Sequence, residues 1–195
     1  MNLRLVAVAL LFAGSAAAAP PPADRVQGGL ISGLDPSAPL YTQLLVGGWL
    51  GVGLGDTWRL ELSGSWQDGL ESETDTSTFL HDEALLSDGD ALADRTRWTA
   101  DLLLRAEPLR GKIAILQTTL TGFAAHVGFG PGLRAQASRG GEEHLAPAFL
   151  AATGVDLRLL GWLLLRFDLR GYALLRRDDT VGGGAELLFG AGAHL

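Results

Sequence analysis

Hydrophobic and polar residues alternate with a period of two along most of the chain. In TWRLELSGSW, residues 57–66, Trp58, Leu60, Leu62, Gly64 and Trp66 share one face, and Arg59, Glu61, Ser63 and Ser65 share the other. That is the periodicity of a β-strand. In TRWTADLLLRAE, residues 96–107, the faces are Trp98, Ala100, Leu102, Leu104 and Ala106 against Arg97, Thr99, Asp101, Leu103, Arg105 and Glu107. Phe123, Ala125, Val127, Phe129, Leu133, Ala135 and Ala137 then alternate with Ala124, His126, Gly128, Gly130, Gly132, Arg134, Gln136 and Ser138. Further on, Phe149, Ala151, Thr153, Val155, Leu157 and Leu159 oppose Asp156 and Arg158, and Leu163, Leu165, Phe167, Leu169 and Ala173 oppose Arg166, Asp168, Arg170 and Arg176. Finally, Leu187, Phe189, Ala191, Ala193 and Leu195 oppose Glu186, Leu188, Gly190, Gly192 and His194. With LLVGGWLGVGLG, residues 44–55, these make seven strands, and the weaker RVQGGLISG, residues 25–33, makes an eighth.

The spacing of the strands predicts how they are joined. A long segment follows the 57–66 strand, whereas Gly55-Asp56-Thr57 before it is short enough for a tight turn. Long and short connections then alternate: residues 139–144 and 177–183 join the long end, and Leu160-Gly161 the short one. If long loops lie outside the cell and short turns face the periplasm, the 44–55 strand runs inward and needs residues 25–33 as its outward partner. PLRGKIAILQTTLT, residues 108–121, breaks the scheme, being long on the short-turn side. It reads either as an extension of its neighbouring strands or as a plug or cap at the rim.

The start of the chain decides which face is inside. Asn2, Leu3 and Arg4, the apolar run Leu5–Ala13, and the small residues Gly14 to Ala19 form a secretory signal, so residues 1–18 are set apart from a β-barrel domain at 19–195. That apolar run is too short to span a bilayer, which takes about 20 residues. The alternating runs, by contrast, match the roughly 9–11 residues of a tilted transmembrane strand and exceed the common soluble strand length of about 5–6. Trp58, Trp66 and Trp98 stand near strand ends, where interface aromatics belong. The polar face pairs Arg with Asp or Glu at close spacing, and the chain has a single lysine, Lys112. Planar guanidinium forks suit confined ion pairs, although a GC-rich genome would also replace Lys by Arg.

The fold class is therefore all-β, an eight-stranded antiparallel up-and-down transmembrane β-barrel, with a soluble lipocalin-like barrel as the alternative. Its lumen would be filled by Arg59, Glu61, Asp101, Arg105, Glu107, Arg134, Asp156, Arg158, Arg166, Asp168, Arg170 and Glu186, leaving no wide pore. On this assignment Leu62→Arg faces lipid and is damaging, and Ser63→Arg faces the lumen and is much milder.

Charge and candidate chemistry narrow the function. Nine Asp and Glu and no Lys or Arg lie between Gln67 and Asp94, so that stretch carries −9 in a chain of net charge −7. The acidic stretch reads as a solvated extracellular loop, and without a basic face no nucleic-acid partner is expected. The absence of cysteine excludes disulfides, thiol nucleophiles and thiol metal sites. His126 faces the lumen, but its only downstream serine nearby is Ser138, so packing is favoured over catalysis. His81 beside Asp82 and Glu83, and Ser87-Asp88-Gly89-Asp90, supply too few ligands for a calcium loop. GLGDT and GFGPG lack the lysine of phosphate loops. No cofactor or metal is expected.

RAEPLRGKIAILQTTLTGFAAHVGFGPG, residues 105–132, with GVDLRLLGWLLLRFDLRGY, residues 154–172, resembles the small outer-membrane β-barrel domain family abundant in myxobacteria. The shared features are a Pro-x-x-Gly-Lys element, here Pro108 to Lys112, a Gly-rich strand, and a hairpin alternating charges with Leu or Phe. The resemblance covers about residues 42–195 and implies an outer-membrane barrel without assigned chemistry. The chain departs from the general outer-membrane pattern in ending on Leu195 rather than an aromatic.

The expected protein is a non-enzymatic, monomeric, porin-like barrel of the Gram-negative outer membrane. Its partners are outer-membrane lipid, lipopolysaccharide and the barrel-assembly machinery, and its role is structural or one of surface interaction. A narrow channel, a lipid-modifying enzyme and a soluble exported ligand-binding barrel remain as alternatives.

Overall fold

The computed structural model describes residues 26–36, 43–69, 95–115, 119–137, 143–159, 162–175 and 180–194. It contains eight strands: β1 (Val26–Asp35), β2 (Gln43–Gly53), β3 (Trp58–Gly69), β4 (Arg95–Ile115), β5 (Thr119–Ala137), β6 (Glu143–Leu159), β7 (Leu163–Leu175) and β8 (Val181–His194). Each pairs antiparallel with its sequence neighbours, and β8 pairs with β1, closing the barrel. The weak first candidate, 25–33, corresponds to β1, which runs on to Asp35, with Val26↔Val52 through Asp35↔Gln43 joining it to β2. The predicted signal segment, the acidic stretch at 70–94 with His81, and Ser138 and Leu195 lie outside the described residues.

Alternation gives the wall two chemistries. Leu62, Trp66, Val127, Phe129, Phe149 and Phe189 are exposed on the outside. Every buried charged residue lies on the opposite parity and points into the bore, together with two small apolar clusters, Ile31, Leu45, Trp49, Leu164 and Leu188, and Leu103, Leu150 and Ala152. Cross-strand neighbours on the same face sit about 5 Å apart, so the outward rows form largely apolar strips around the barrel, interrupted at Ser32 and Thr153.

The barrel has two unlike ends. The short turn end joins β2 to β3 through residues 54–57, where Gly55 adopts φ 132°, a left-handed conformation natural to glycine. At the other, the loop end, β3 joins β4 across the acidic stretch. The segment 108–121 resolves the earlier ambiguity toward strand extension: β4 continues to Ile115 and β5 starts at Thr119, making strands of 21 and 19 residues against 10–14 in β1, β2, β3, β7 and β8. The long hairpin projects from the turn end.

Two β-bulges in β4 re-aim its side chains. Between Thr96 and Trp98 the register against β5 slips, and Arg97, expected in the lumen, is exposed on the outside instead. A second slip falls between Ala106 and Leu109, so that Glu107 and Pro108 together face the single residue His126. Proline lacks the N–H a regular ladder needs, which is why it is found at such a bulge. Glycine is required by close approach at Gly130, where a Cβ would strike the Leu102 carbonyl, and at Gly154, where it would strike the Phe167 carbonyl and the Asp168 carboxylate.

Candidate functional site: the ionic filling of the lumen

The buried residues include five arginines and seven carboxylates, enough to fill the bore with side chains. They are brought together by closure, because the strongest contacts span the lumen. Glu61 on β3 faces Arg166 on β7, four strands away around an eight-strand ring, at Nη1–Oε2 2.6 Å. Glu61 also accepts from Arg105 Nη2 at 2.8 Å, and Arg170 Nη2 stands 3.4 Å away. Arg105 grips Asp168 with both terminal nitrogens, at 2.6 and 3.2 Å, and Arg166 grips Asp156 through Nε and Nη2 at 2.8 and 3.1 Å. Such forked pairs hold geometry as well as charge.

The network continues toward both ends. On the turn side Arg59 bridges Asp156 at 3.1 Å and Glu107 at 2.8 Å, and Glu107 accepts from Arg110 Nε at 2.8 Å. On the loop side Arg170 donates to Ser63 Oγ at 3.0 Å and reaches Asp101 at 3.4 Å. Beyond it Arg134 pairs with Glu186 at 3.0 Å, its guanidinium 4.5 Å above the Tyr172 ring, while the Tyr172 hydroxyl donates to Asp35 at 2.7 Å. The sequence-derived residues Arg59, Glu61, Asp101, Arg105, Glu107, Arg134, Asp156, Arg166, Asp168, Arg170 and Glu186 all stand buried in this network. Arg158 is half-buried near the turn end.

Local structure makes room for these long side chains. A Cβ on Gly51 would come within 2.9 Å of Arg59 Cδ, and one on Gly128 within 2.9 Å of Arg105 Cγ, so small residues opposite the arginines let their stems lie flat against the wall. A lumen packed this way is not permissive. Ser63 is in hydrogen-bond contact with Arg170, so an Arg at that position would set two guanidiniums together.

Several members were not anticipated. Trp49 is buried, with the Arg166 guanidinium 3.6 Å from its ring centre, an arrangement that holds the cation by its π-face while carboxylates hold its edge. The signal was present in the parity of β2, where Leu44, Val46, Leu50 and Val52 are exposed and Trp49 falls between them. Asp35 and the amides Gln43 and Gln67 also face inward and are buried, as do Ser65, Thr99 and Gln136, which the alternation had put on the polar face. His126 is 1% exposed and bonds Asp168 through Nε2 at 2.6 Å, so its ring is part of the filling and faces no surface. Among the described residues no group of three or more His, Cys, Asp or Glu has metal-binding geometry.

The other tryptophans mark the two rims. Trp66 and Trp98 are paired across β3 and β4 near the loop end, with Trp66 60% exposed and Trp98 half-buried. Trp58 and Trp162 are exposed near the turn end. From Trp58 to Trp66 is about 26 Å along the strand, or about 20 Å along the barrel axis at a tilt of about 40°, close to the apolar band of about 25 Å in membrane barrels.

Two solved structures are similar at low identity. Neisserial surface protein A is 12% identical, with a TM-score of 0.45, over 87% of this chain and 96% of that chain. Ail, the attachment invasion locus protein of Yersinia pestis, is 13% identical, with a TM-score of 0.42, over 86% of this chain and 95% of that chain. No protein-family model matches the chain, and no curated protein matches it.

Proposed function

We propose that the chain is a transmembrane barrel of the bacterial outer membrane, with a closed lumen and a structural or surface-interaction role. One observation carries this reading: apolar side chains cover the outside while five arginines and seven carboxylates are buried within. A water-soluble barrel buries the reverse set. Lipid is the solvent that makes such an exterior stable, and a closed barrel leaves no unpaired backbone within it. The tryptophan rims fit the two interfaces, and the secretory signal read from residues 1–18 supplies the export route.

Cross-lumen ion pairs support a filled bore over an aqueous pore. The same burial of His126 speaks against the lipid-modifying reading, since a lipid substrate at the outer surface does not reach it. Gln67–Gly69 belong to β3, with Gln67 buried, so the part of the acidic stretch offered to the surroundings, with lipopolysaccharide and surface ligands as its contacts, starts at residue 70 rather than 67. Membership in the myxobacterial-type barrel family is supported by the Pro108–Lys112 element and the charged hairpin. The test is membrane fractionation combined with electrophoresis before and after boiling. An outer-membrane protein whose mobility shifts on heating is the expected result, and a periplasmic product without the shift refutes the proposal.

A further inference from the structure

Closure removes edges from a barrel, yet this one keeps one. Pairing of β4 with β3 ends at Trp58↔Ala106, followed only by the Glu107 N–H donating to the Thr57 carbonyl at 2.8 Å. Pairing of β4 with β5 goes on to Ile115↔Thr119. From Pro108 to Ile115, about 26 Å of strand, β4 is hydrogen-bonded on one side only among the described residues. Open edges of this length recruit other strands. Its charge is the opposite of the chain's: residues 108–121 contain Arg110 and Lys112 and no Asp or Glu, whereas the whole chain is −7. Arg110 is tied to Glu107, and Lys112, the only lysine, is exposed.

We infer that this edge is a docking strand for an extended acidic segment of another protein on the turn side of the membrane, bound by β-strand addition. The backbone supplies affinity and Lys112 supplies selection. The side of the membrane, and only that, rests on the function proposed above. A second copy of the chain is a poor occupant. Copies in one membrane share orientation, so their β4 edges run parallel, and pairing them sets one cationic stretch beside another. Pro108 and Lys112 also blunt indiscriminate pairing, as proline and lysine do on natural edges, leaving a carboxylate-bearing strand as the complementary partner.

The test uses the full chain refolded in detergent and fluorescein-labelled octapeptides, read by anisotropy. One peptide alternates Glu with Val, a second Lys with Val, and a third is the Glu peptide N-methylated at every residue. The Glu peptide should bind about five- to tenfold tighter than the Lys peptide, as expected for a few exposed charge pairs. N-methylation should abolish binding, and Lys112→Glu should reverse the preference, with heat-shifted mobility confirming that the variant is folded. If Lys112→Glu does not fold, Lys112→Gln should erase the preference. Equal binding of acidic and basic peptides, full binding of the N-methylated one, or an unchanged preference in the folded variant overturns the inference. Because the measurement is made in detergent, its failure is distinct from failure of the membrane location.

Discussion

Removing Glu61 should cost more than removing any lipid-facing side chain of similar size. Glu61 has no exposed area, accepts from Arg105 at 2.8 Å and Arg166 at 2.6 Å, and stands 3.4 Å from Arg170. Deleting one partner of a buried pair costs about 3–5 kcal/mol, because the remaining charge stays buried. Asp156 and Asp168 still hold Arg166 and Arg105, so Glu61→Ala belongs near the lower end, about 3–4 kcal/mol. Glu61→Gln keeps the volume and one acceptor but turns an N–H₂ toward a guanidinium, for a loss of about 2–3 kcal/mol, near that of a hydrogen bond to a charged group. The two variants separate charge from cavity. Reversible urea unfolding in lipid, followed by tryptophan fluorescence, measures both, and Trp49 reports directly because Arg166 stacks on its ring at 3.6 Å. If Glu61→Ala stays within about 0.5 kcal/mol of wild type, the range of inconsequential surface changes, the network does not hold the barrel together.

Leu62→Arg, on an outward side chain 57% exposed, should cost about 2–4 kcal/mol in lipid near the midplane; no loss in lipid counts against the outward apolar face. Gly130→Ala should destabilise by about 1–3 kcal/mol because its Cβ meets the Leu102 carbonyl, whereas Gly171→Ala, whose nearest neighbour would be 4.0 Å away, should be near neutral; equal midpoints in urea would refute the packing assignment. Wild-type protein should be silent in planar-bilayer recordings, and the combined Glu61→Ala, Arg105→Ala and Arg166→Ala variant should show ion steps, since the cross-lumen bridges Arg105–Asp168 and Arg166–Glu61 that close the bore are gone. Steps of the same size from both would show that these bridges do not close it.

What could be read from the sequence is what a strand writes into two-residue periodicity. Arg59 and Glu61 opposite Leu60 and Leu62 show that a face is charged, and the same for β7 through Arg166, Asp168 and Arg170. Which arginine meets which carboxylate was not legible, because Glu61 and Arg166 are brought together by ring closure and strand stagger, and nothing local encodes either. Bulges are similarly silent. One extra residue at Arg97 turned that side chain outward, and only Pro108 hinted at the second slip.

Trp49 went unassigned for a different reason. The faces of the 44–55 strand are interrupted by Gly47, Gly48, Gly51 and Gly53, so its alternation shows less plainly than in β3, although parity puts Trp49 opposite Leu44, Val46, Leu50 and Val52. For residues 108–121 the sequence left strand extension and a rim plug or cap both open, because Pro108 and Gly111 look like turn residues; the bulge absorbs the proline and the Phe123 ring covers the glycine.

The central claim, apolar wall in lipid and ions within, is tested most directly by quenching of single tryptophans with brominated phospholipids. Two variants are compared in vesicles, one retaining only Trp66 and the other only Trp49, the remaining tryptophans being replaced by Phe. Trp66, 60% exposed on the outer face, should be strongly quenched, and Trp49, 5% exposed against Arg166, should not be. Quenching of Trp49 with Trp66 spared would contradict the account.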